Sequence, residues 1–482
     1  MANRSELKEM QEHYLRRART GDAHDVLRCL YFIMEAGGGE AGAELSPEWL
    51  VLWGKVKDQA PRYAAPDVIE RFEGMLSSIR ACDPRIEELS LSRDDPTCVL
   101  LGAGASAPPP SAIPTVTQLL PELWRRARRL GREEIDRLIE WCDNHSIKNI
   151  EDLLTAAYIA NYAAKNTAIT GLLDFFLFQK DRRRSEREEY LAPGHSVGPS
   201  QVDTASIALL QDTLQILFGL LTGTMIPADP NAGHDALVSF LDGHPHTSIV
   251  TTNYDGCVDE ALLRAKLPIN TYITDAKASP ESVNLIKIHG SINWSYCDSC
   301  HDVREFDLLR TKDAYLKDYL SYAVIGICKK CQGQRRPLLI PPLGLKFVMF
   351  PTLIRLWDEA RTTIEAAKVL IVVGYSFAEA DTYINKIIER SMTVNPRQRM
   401  VVCDSDWSLV PSLRNRFAAR IDGFDEARVL PAVGSVDEVL PKVLQMLAGQ
   451  RTSKPRRGAE GVKQATKAKG RKPQASAAVT KD

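Results

Sequence analysis

Short runs of consecutive apolar residues alternate with longer stretches in which apolar positions recur every three or four residues. The runs are TCVLL at 97–101, TSIVTTN at 247–253, VNLIKIHG at 283–290, AKVLIVVGYS at 367–376 and QRMVVCDSD at 398–406. Each is too short for a core helix and rich in β-branched residues, so each predicts a strand buried on both faces. The stretches between them predict helices. One is TVTQLLPELWRRARRL, with Pro114 near its start; one runs from about 149 to 178; one is TASIALLQDTLQILFGLL. Strands alternating with helices predict an α/β fold of Rossmann type with a parallel sheet.

The same pattern predicts the domain boundaries. Residues 1–95 read as an N-terminal helical region, carried by VLRCLYFIMEAG and PDVIERFEGMLSSIR, with no chemical motif. Such a region is expected to pack on the body or on another subunit. Residues 96–447 form the main domain. Within it, 292–335 breaks the alternation and predicts a small inserted module. The charged and then Pro/Gly/Ser-containing segment 179–204 predicts a surface loop. From 448 the chain is rich in Lys, Ala, Gly, Ser and Pro and has no aromatic residue, which predicts a basic disordered tail.

Composition changes this picture little. The chain has 482 residues, 44% hydrophobic and 26% charged, which excludes a largely disordered or fibrous protein. No apolar run approaches the ~18 residues of a membrane span, and the polar N-terminus lacks an apolar signal core. The expectation is a cytoplasmic protein without a membrane segment. Net charge is −1, but residues 451–482 carry ten basic and two acidic residues while the other 450 carry 51 and 60. An acidic body is not built around nucleic acid, so contact with it is expected only through the tail.

Candidate chemistry lies at the ends of the predicted strands, where α/β sheets place ligands. Gly102-Ala103-Gly104-Ala105-Ser106 is a glycine-rich turn whose backbone N–H groups, with the Ser106 hydroxyl, suit a pyrophosphate. The third glycine of the dinucleotide fingerprint is missing, which disfavours a hydride-transfer domain. Thr251-Thr252-Asn253-Tyr254-Asp255 offers an amide and a carboxylate; Asp255 also suits a helix cap. Lys287-Ile288-His289-Gly290-Ser291 brings an imidazole that can act as a base near neutral pH. Gly374-Tyr375-Ser376, Asp381, Asp404 and Asp406 end two more strands. Their carboxylates suit ribose hydroxyls, and Asp381 and Asp406 equally suit helix capping.

Six of the ten cysteines are scattered among apolar neighbours. The other four form two C-x-x-C knuckles, Cys297/Cys300 and Cys328/Cys331, with 27 residues between them. Four thiolates in this spacing suit one closed, structural Zn2+ per chain.

In this order the motifs resemble the sirtuin superfamily, over about residues 96–447. GAGAS resembles its phosphate loop, TTNYD its T-x-N-x-D strand end, KIHGS its catalytic-histidine motif, the knuckles its zinc module and GYS its Gly-x-Ser loop. Protein deacylases of the family follow the glycine loop with Gly-Ile-Pro-Asp-Phe-Arg; here Ala112-Ile113-Pro114-Thr115-Val116-Thr117 stands instead. Their Phe-Gly-Glu strand, which clamps acyl-lysine, is replaced by the stretch from Leu338 to Lys346. GAGAS, TTNYD, IPP…K and GYSFAEAD resemble the bacterial sirtuin-like branch of anti-phage defence proteins, whose members commonly hydrolyse NAD.

The resemblance implies an NAD+ hydrolase that releases nicotinamide and ADP-ribose, regulated until triggered. Asp255 would hold the carboxamide. Asn253 would place the ribose and the attacking water, and His289 would be the general base. Gly102, Ala103, Gly104 and Ser106 would cradle the pyrophosphate. Thr252, Gly374, Ser376 and Asp404 would line the rest of the cofactor. The implied partners are NAD+ itself, further copies of the chain and an ATPase or nuclease subunit. A lysine deacylase and a non-enzymatic NAD or ADP-ribose sensor are the competing expectations.

Overall fold

The computed structural model describes residues 23–36, 49, 52–53, 56, 59–77, 81–129, 131, 133–163, 204–226, 228–273, 279–297, 299–306, 327–333, 335–340, 353–378 and 381–449. Residues 450–482 of the tail, residues 179–203 of the loop, the 164–178 end of a predicted helix and the IPP…K stretch from Pro341 lie outside them, while Ala448 ends α13. Among the described residues the strands are β1 (Thr97–Leu101), β2 (Thr247–Thr251), β3 (Ile269–Asn270), β4 (Val283–Lys287), β5 (Gly290–Cys297), β6 (Val303–Glu305), β7 (Arg335–Leu339), β8 (Val369–Val373), β9 (Arg399–Asp404) and β10 (Val429–Val433). The α-helices are α1 (Ala23–Ala36), α2 (Pro66–Ser77), α3 (Arg85–Glu88), α4 (Val116–Arg128), α5 (Glu133–Asn144), α6 (Ile150–Ala163), α7 (Thr204–Met225), α8 (Ala232–Gly243), α9 (Cys257–Arg264), α10 (Leu353–Ala366), α11 (Thr382–Val394), α12 (Leu409–Ala418) and α13 (Val436–Ala448).

Seven strands form one sheet in the order β10-β9-β8-β1-β2-β4-β3, every neighbouring pair parallel. The five predicted strands are all in it. β3 has only two residues, and β10 contains Pro431, which suits an edge strand. Alternate side chains divide the sheet's apolar runs between two cores. Cys98, Leu100, Val250, Ile286, Leu370 and Val372 face one, with side chains of α4, α5, α6, α7, α10 and α11. Val99, Leu101, Ile249, Leu285, Ile371 and Val373 face the other, with those of α8 and α13. Burial on both faces is what lets a parallel strand be apolar throughout.

The segment around Cys82–Leu91 belongs to this second core, through Ile86 and Leu91. It also covers the outer edge of β10. Cys82 bridges Ala432, Asp83 N–H donates to Pro431 O at 3.0 Å, and Val433 N–H donates to Ala81 O at 2.8 Å. The predicted helical region 1–95 is therefore divided. α1, α2 and a 3-10 turn at Ala60–Arg62 share a separate apolar cluster with Val26, Leu30, Trp49, Val56 and Phe72. Residues 81–91 are part of the sheet domain.

β5, β6 and β7 form a separate antiparallel sheet in the order β6-β5-β7. This is the inserted module, and its strands begin at Gly290, directly after His289. No helix among the described residues is long and apolar enough to cross a membrane.

Candidate active site

The order of strands reverses at β1, the first strand laid down, which has β2 on one side and β8 on the other. A crevice forms at the carboxyl ends of the strands where such a reversal occurs. Gly102, Gly104, Ser106, Thr252, Asn253, Asp255, His289 and Gly374 all come to the carboxyl ends of the adjacent strands β8, β1, β2 and β4.

The two glycine loops interlock. Gly102 N–H donates to Val373 O and Gly104 N–H to Gly374 O, both at 2.9 Å. A Cβ on Gly102 would lie 2.5 Å from Gly374 O, and one on Gly374 would lie 2.4 Å from Ala105 N. Gly374 also has φ +57°, which glycine adopts at little cost. The sequence suggested that the loop offers its N–H groups to a pyrophosphate. The N–H groups of Gly102, Gly104 and Ala105 bond to protein carbonyls. The glycines serve the close approach of two backbones, a need that a motif alone does not reveal.

Asn253 joins β2 to this loop. Its Nδ2 donates to Gly102 O at 2.9 Å, and its N–H donates to Thr251 Oγ1 at 3.0 Å. Thr252 N–H donates to Leu101 O at 3.1 Å. Asp255 is buried, and its Oδ1 accepts from Cys257 N–H at 3.0 Å just ahead of α9, whose N-cap is Gly256. Beneath it lies an ion pair that the sequence did not disclose. Lys287 Nζ reaches Asp259 Oδ2 and Asp255 O, each at 2.7 Å, with the lysine fully buried.

His289 is 2% exposed and Asp381 6%. Its Nε2 lies 3.4 Å from Asp381 Oδ1. Tyr375 Oη donates to Asp381 Oδ2 and reaches Asn385 Oδ1, each at 3.2 Å. The rings of Tyr254 and Trp357 flank the imidazole, with centroids at 6.4 and 6.0 Å. Burial pushes both tyrosine hydroxyls far above their ordinary range. The charge of Glu151 adds to this at Tyr254, and that of Asp381 at Tyr375. Both are therefore neutral donors. His289 O accepts from Ile340 N–H at 2.9 Å, and Tyr254 Oη donates to Ile340 O at 2.8 Å.

Ser106 has a partner that sequence reasoning missed. His234 Nε2 lies 3.5 Å from its Oγ, while His234 Nδ1 accepts from Asn231 N–H at 3.2 Å in the capping box of α8. Asn231 Nδ2 also donates to Ala105 O at 2.8 Å. Burial lowers the His234 pKa, against the raising effect of Asp255, Asp235 and Asp259. A neutral ring with the proton on Nε2 donates to Ser106, leaving that hydroxyl's own proton for another acceptor. The Asn-x-x-His spacing at the start of an apolar helix was the available signal.

Ser376 and Asp404 complete the expected set. Ser376 is exposed, two positions past the interlock. Asp404 ends β9, beyond β8, and its Oδ1 accepts from Asp406 N–H at 2.8 Å. Burial raises its pKa, and that hydrogen bond offsets part of the effect.

The four knuckle cysteines are gathered. Their sulfurs all lie within 4.8 Å of one another. Each knuckle closes the same way. His301 N–H donates to Cys297 O and Gln332 N–H to Cys328 O, both at 2.8 Å, with φ of +60° and +63° at the two donors. Burial opposes ionisation of Cys328, yet the N–H groups of Lys330 and Cys331 bring its thiol down to about 6. Arg335, buried, donates to Cys328 Sγ at 3.3 Å and to Asp302 Oδ2 at 2.8 Å. Four sulfurs gathered in this way, with a cation beside them, are positioned to hold a metal ion.

Residues 247–420 match the SIR2-like domain family. The match begins at β2 and runs through α12, so it takes in the Asn253 and His289 strand ends, the cysteine module and the Gly374 loop. No curated protein matches the chain. Solved structures similar to it include a serine-to-alanine variant of a Sir2 homologue with ADP-ribose, at 17% identity over 76% of this chain and 96% of that one, TM-score 0.38. A Sir2 homologue–NAD complex is 17% identical over 75% and 92%, TM-score 0.37. A triple variant of Sir2 homologues with 2′-O-acetyl-ADP-ribose is 17% identical over 75% and 94%, TM-score 0.40.

Proposed function

We propose that the chain hydrolyses NAD+ at the nicotinamide–ribose bond, giving nicotinamide, ADP-ribose and a proton. The observation that carries this reading is that Asn253 and His289 follow the paired strands β2 and β4, with Asn253 bonded to the interlocked glycine loops, within a SIR2-like match. The reacting ribose develops oxocarbenium character as nicotinamide leaves. Asn253 positions the ribose and a water. His289 takes a proton from that water or from a ribose hydroxyl. Asp255 holds the carboxamide. Ser106, primed by His234, donates to the pyrophosphate, and Thr252, Ser376 and Asp404 line the remainder. The four cysteines hold one structural Zn2+, which fixes the module and takes no part in the reaction.

Hydrolysis is favoured over lysine deacylation by Ile340. This residue stands in the region where deacylases clamp the acyl-lysine backbone. Both of its backbone polar groups are engaged, the N–H by His289 O and the carbonyl by Tyr254. Where deacylases carry Asp-Phe-Arg, Thr115 N–H instead donates to Gln118 Oε1 at the start of α4. The resemblance to defence proteins supplies the setting: NAD+ loss in an infected cytoplasm, restrained by self-assembly or by an ATPase or nuclease partner until triggered.

Chromatography of products from NAD+, with and without an acetylated peptide, tests the reading. Nicotinamide and ADP-ribose are expected without peptide. Asn253→Ala and His289→Ala should each lower turnover ~100-fold or more while the protein stays folded. Nicotinamide formed only with peptide, together with O-acetyl-ADP-ribose, would establish the deacylase instead. Tight ADP-ribose binding without turnover would establish the sensor.

A further inference from the structure

We propose that Asp381 is the positioning residue of His289, orienting the imidazole and stabilising its protonated form. This rests on the hydrolase reading, in which His289 is the base. The two residues are 92 positions apart, His289 following β4 and Asp381 standing at the start of α11 after β8. Their side chains approach to 3.4 Å in a site where both are buried.

Asp381 occupies the N-cap position of α11, yet its side chain makes no capping hydrogen bond. Its carboxylate is turned inward instead. One oxygen faces His289 Nε2 and the other accepts from Tyr375 Oη. Tyr375 Oη is shared with Asn385 Oδ1, and Asn385 Nδ2 donates to Ala378 O at 2.8 Å. The carboxylate is thus held by Tyr375 in the loop after β8, and Asn385 of α11 fixes that hydroxyl.

A carboxylate beside Nε2 places the imidazole proton there and leaves Nδ1 as the basic nitrogen. In the reaction a proton passes from water or a ribose hydroxyl to Nδ1. The imidazolium is then paired with Asp381, which stays ionised, and the proton leaves to solvent after nicotinamide departs. Nothing is oxidised or reduced. Among the described residues, the ionisable groups acting on the two flanking tyrosines, Tyr254 after β2 and Tyr375 after β8, are Asp381 itself, Glu151 and Tyr158 from α6 and Arg416 from α12. Trp357 from α10 supplies an apolar wall.

The test uses full-length protein with 15N-labelled histidine. The His289 signals are identified by their loss in His289→Ala. Asp381→Asn, which can still accept from Tyr375, should lower the pH at which His289 titrates by about one unit and move its tautomer toward Nδ1–H. Turnover should fall ~100-fold, and the acidic limb of the kcat/KM profile should move to lower pH, because the base then loses its proton more readily. Asp381→Glu should restore part of both. An unchanged His289 titration in Asp381→Asn would overturn the proposal. So would a lowered Tm with the pH profile unmoved. Wild-type protein that releases no nicotinamide would sink the hydrolase reading alone, since the titration decides the pairing without turnover.

Discussion

Gly374 shows how much a single missing side chain can decide. A methyl group there would lie within 2.4 Å of the backbone of the neighbouring loop, at a φ that L side chains rarely adopt. Neither obstacle can relax without moving Gly104 and Ala105. Gly374→Ala is therefore expected to cost about 2–4 kcal/mol, the sum of overpacking and left-handed strain. A urea midpoint equal to that of the wild type would show that the loops yield. ADP-ribose binding should weaken with it, because the same shift displaces Gly102 O from Asn253. At this scale the sequence was only half legible. Glycines marked a place where backbones come close, but not whether the visitor was a phosphate or another loop.

Among elements, the cysteine module joins two distant kinds of chemistry by one strand. β5 starts beside His289 and ends on Cys297, while β7 starts at Arg335 and leads to Ile340, whose N–H holds His289 O. The knuckles were legible because ligand spacing is a local property. Arg335 was not, since its role depends on strand pairing that folds it back over Cys328. Cys328→Ser should lower the zinc content from about one per chain and reduce thermal stability. Full metal content in that variant would show that the sulfurs serve another purpose. The apolar runs gave five strands of the main sheet because each is buried on both faces. β10 escaped notice because Pro431 interrupts it, and β3 because two residues carry no period.

For the whole molecule, the strand order is what sequence could not supply. Residues at strand ends could be named in advance, but that the ends of β8, β1, β2 and β4 come side by side requires the strand order. The same holds for the division of the first 95 residues. Ile86 and Leu91 look like any amphipathic segment until the outer edge of β10 is seen beneath them. That cover has a practical outcome. An uncovered strand edge is a template for another chain's backbone. A fragment beginning at residue 96 should therefore aggregate, whereas one beginning at residue 79 should remain monodisperse in light scattering; equal behaviour of both would show that the cover is dispensable. The short stretch ahead of β1 is thus a built-in stopper against runaway sheet growth.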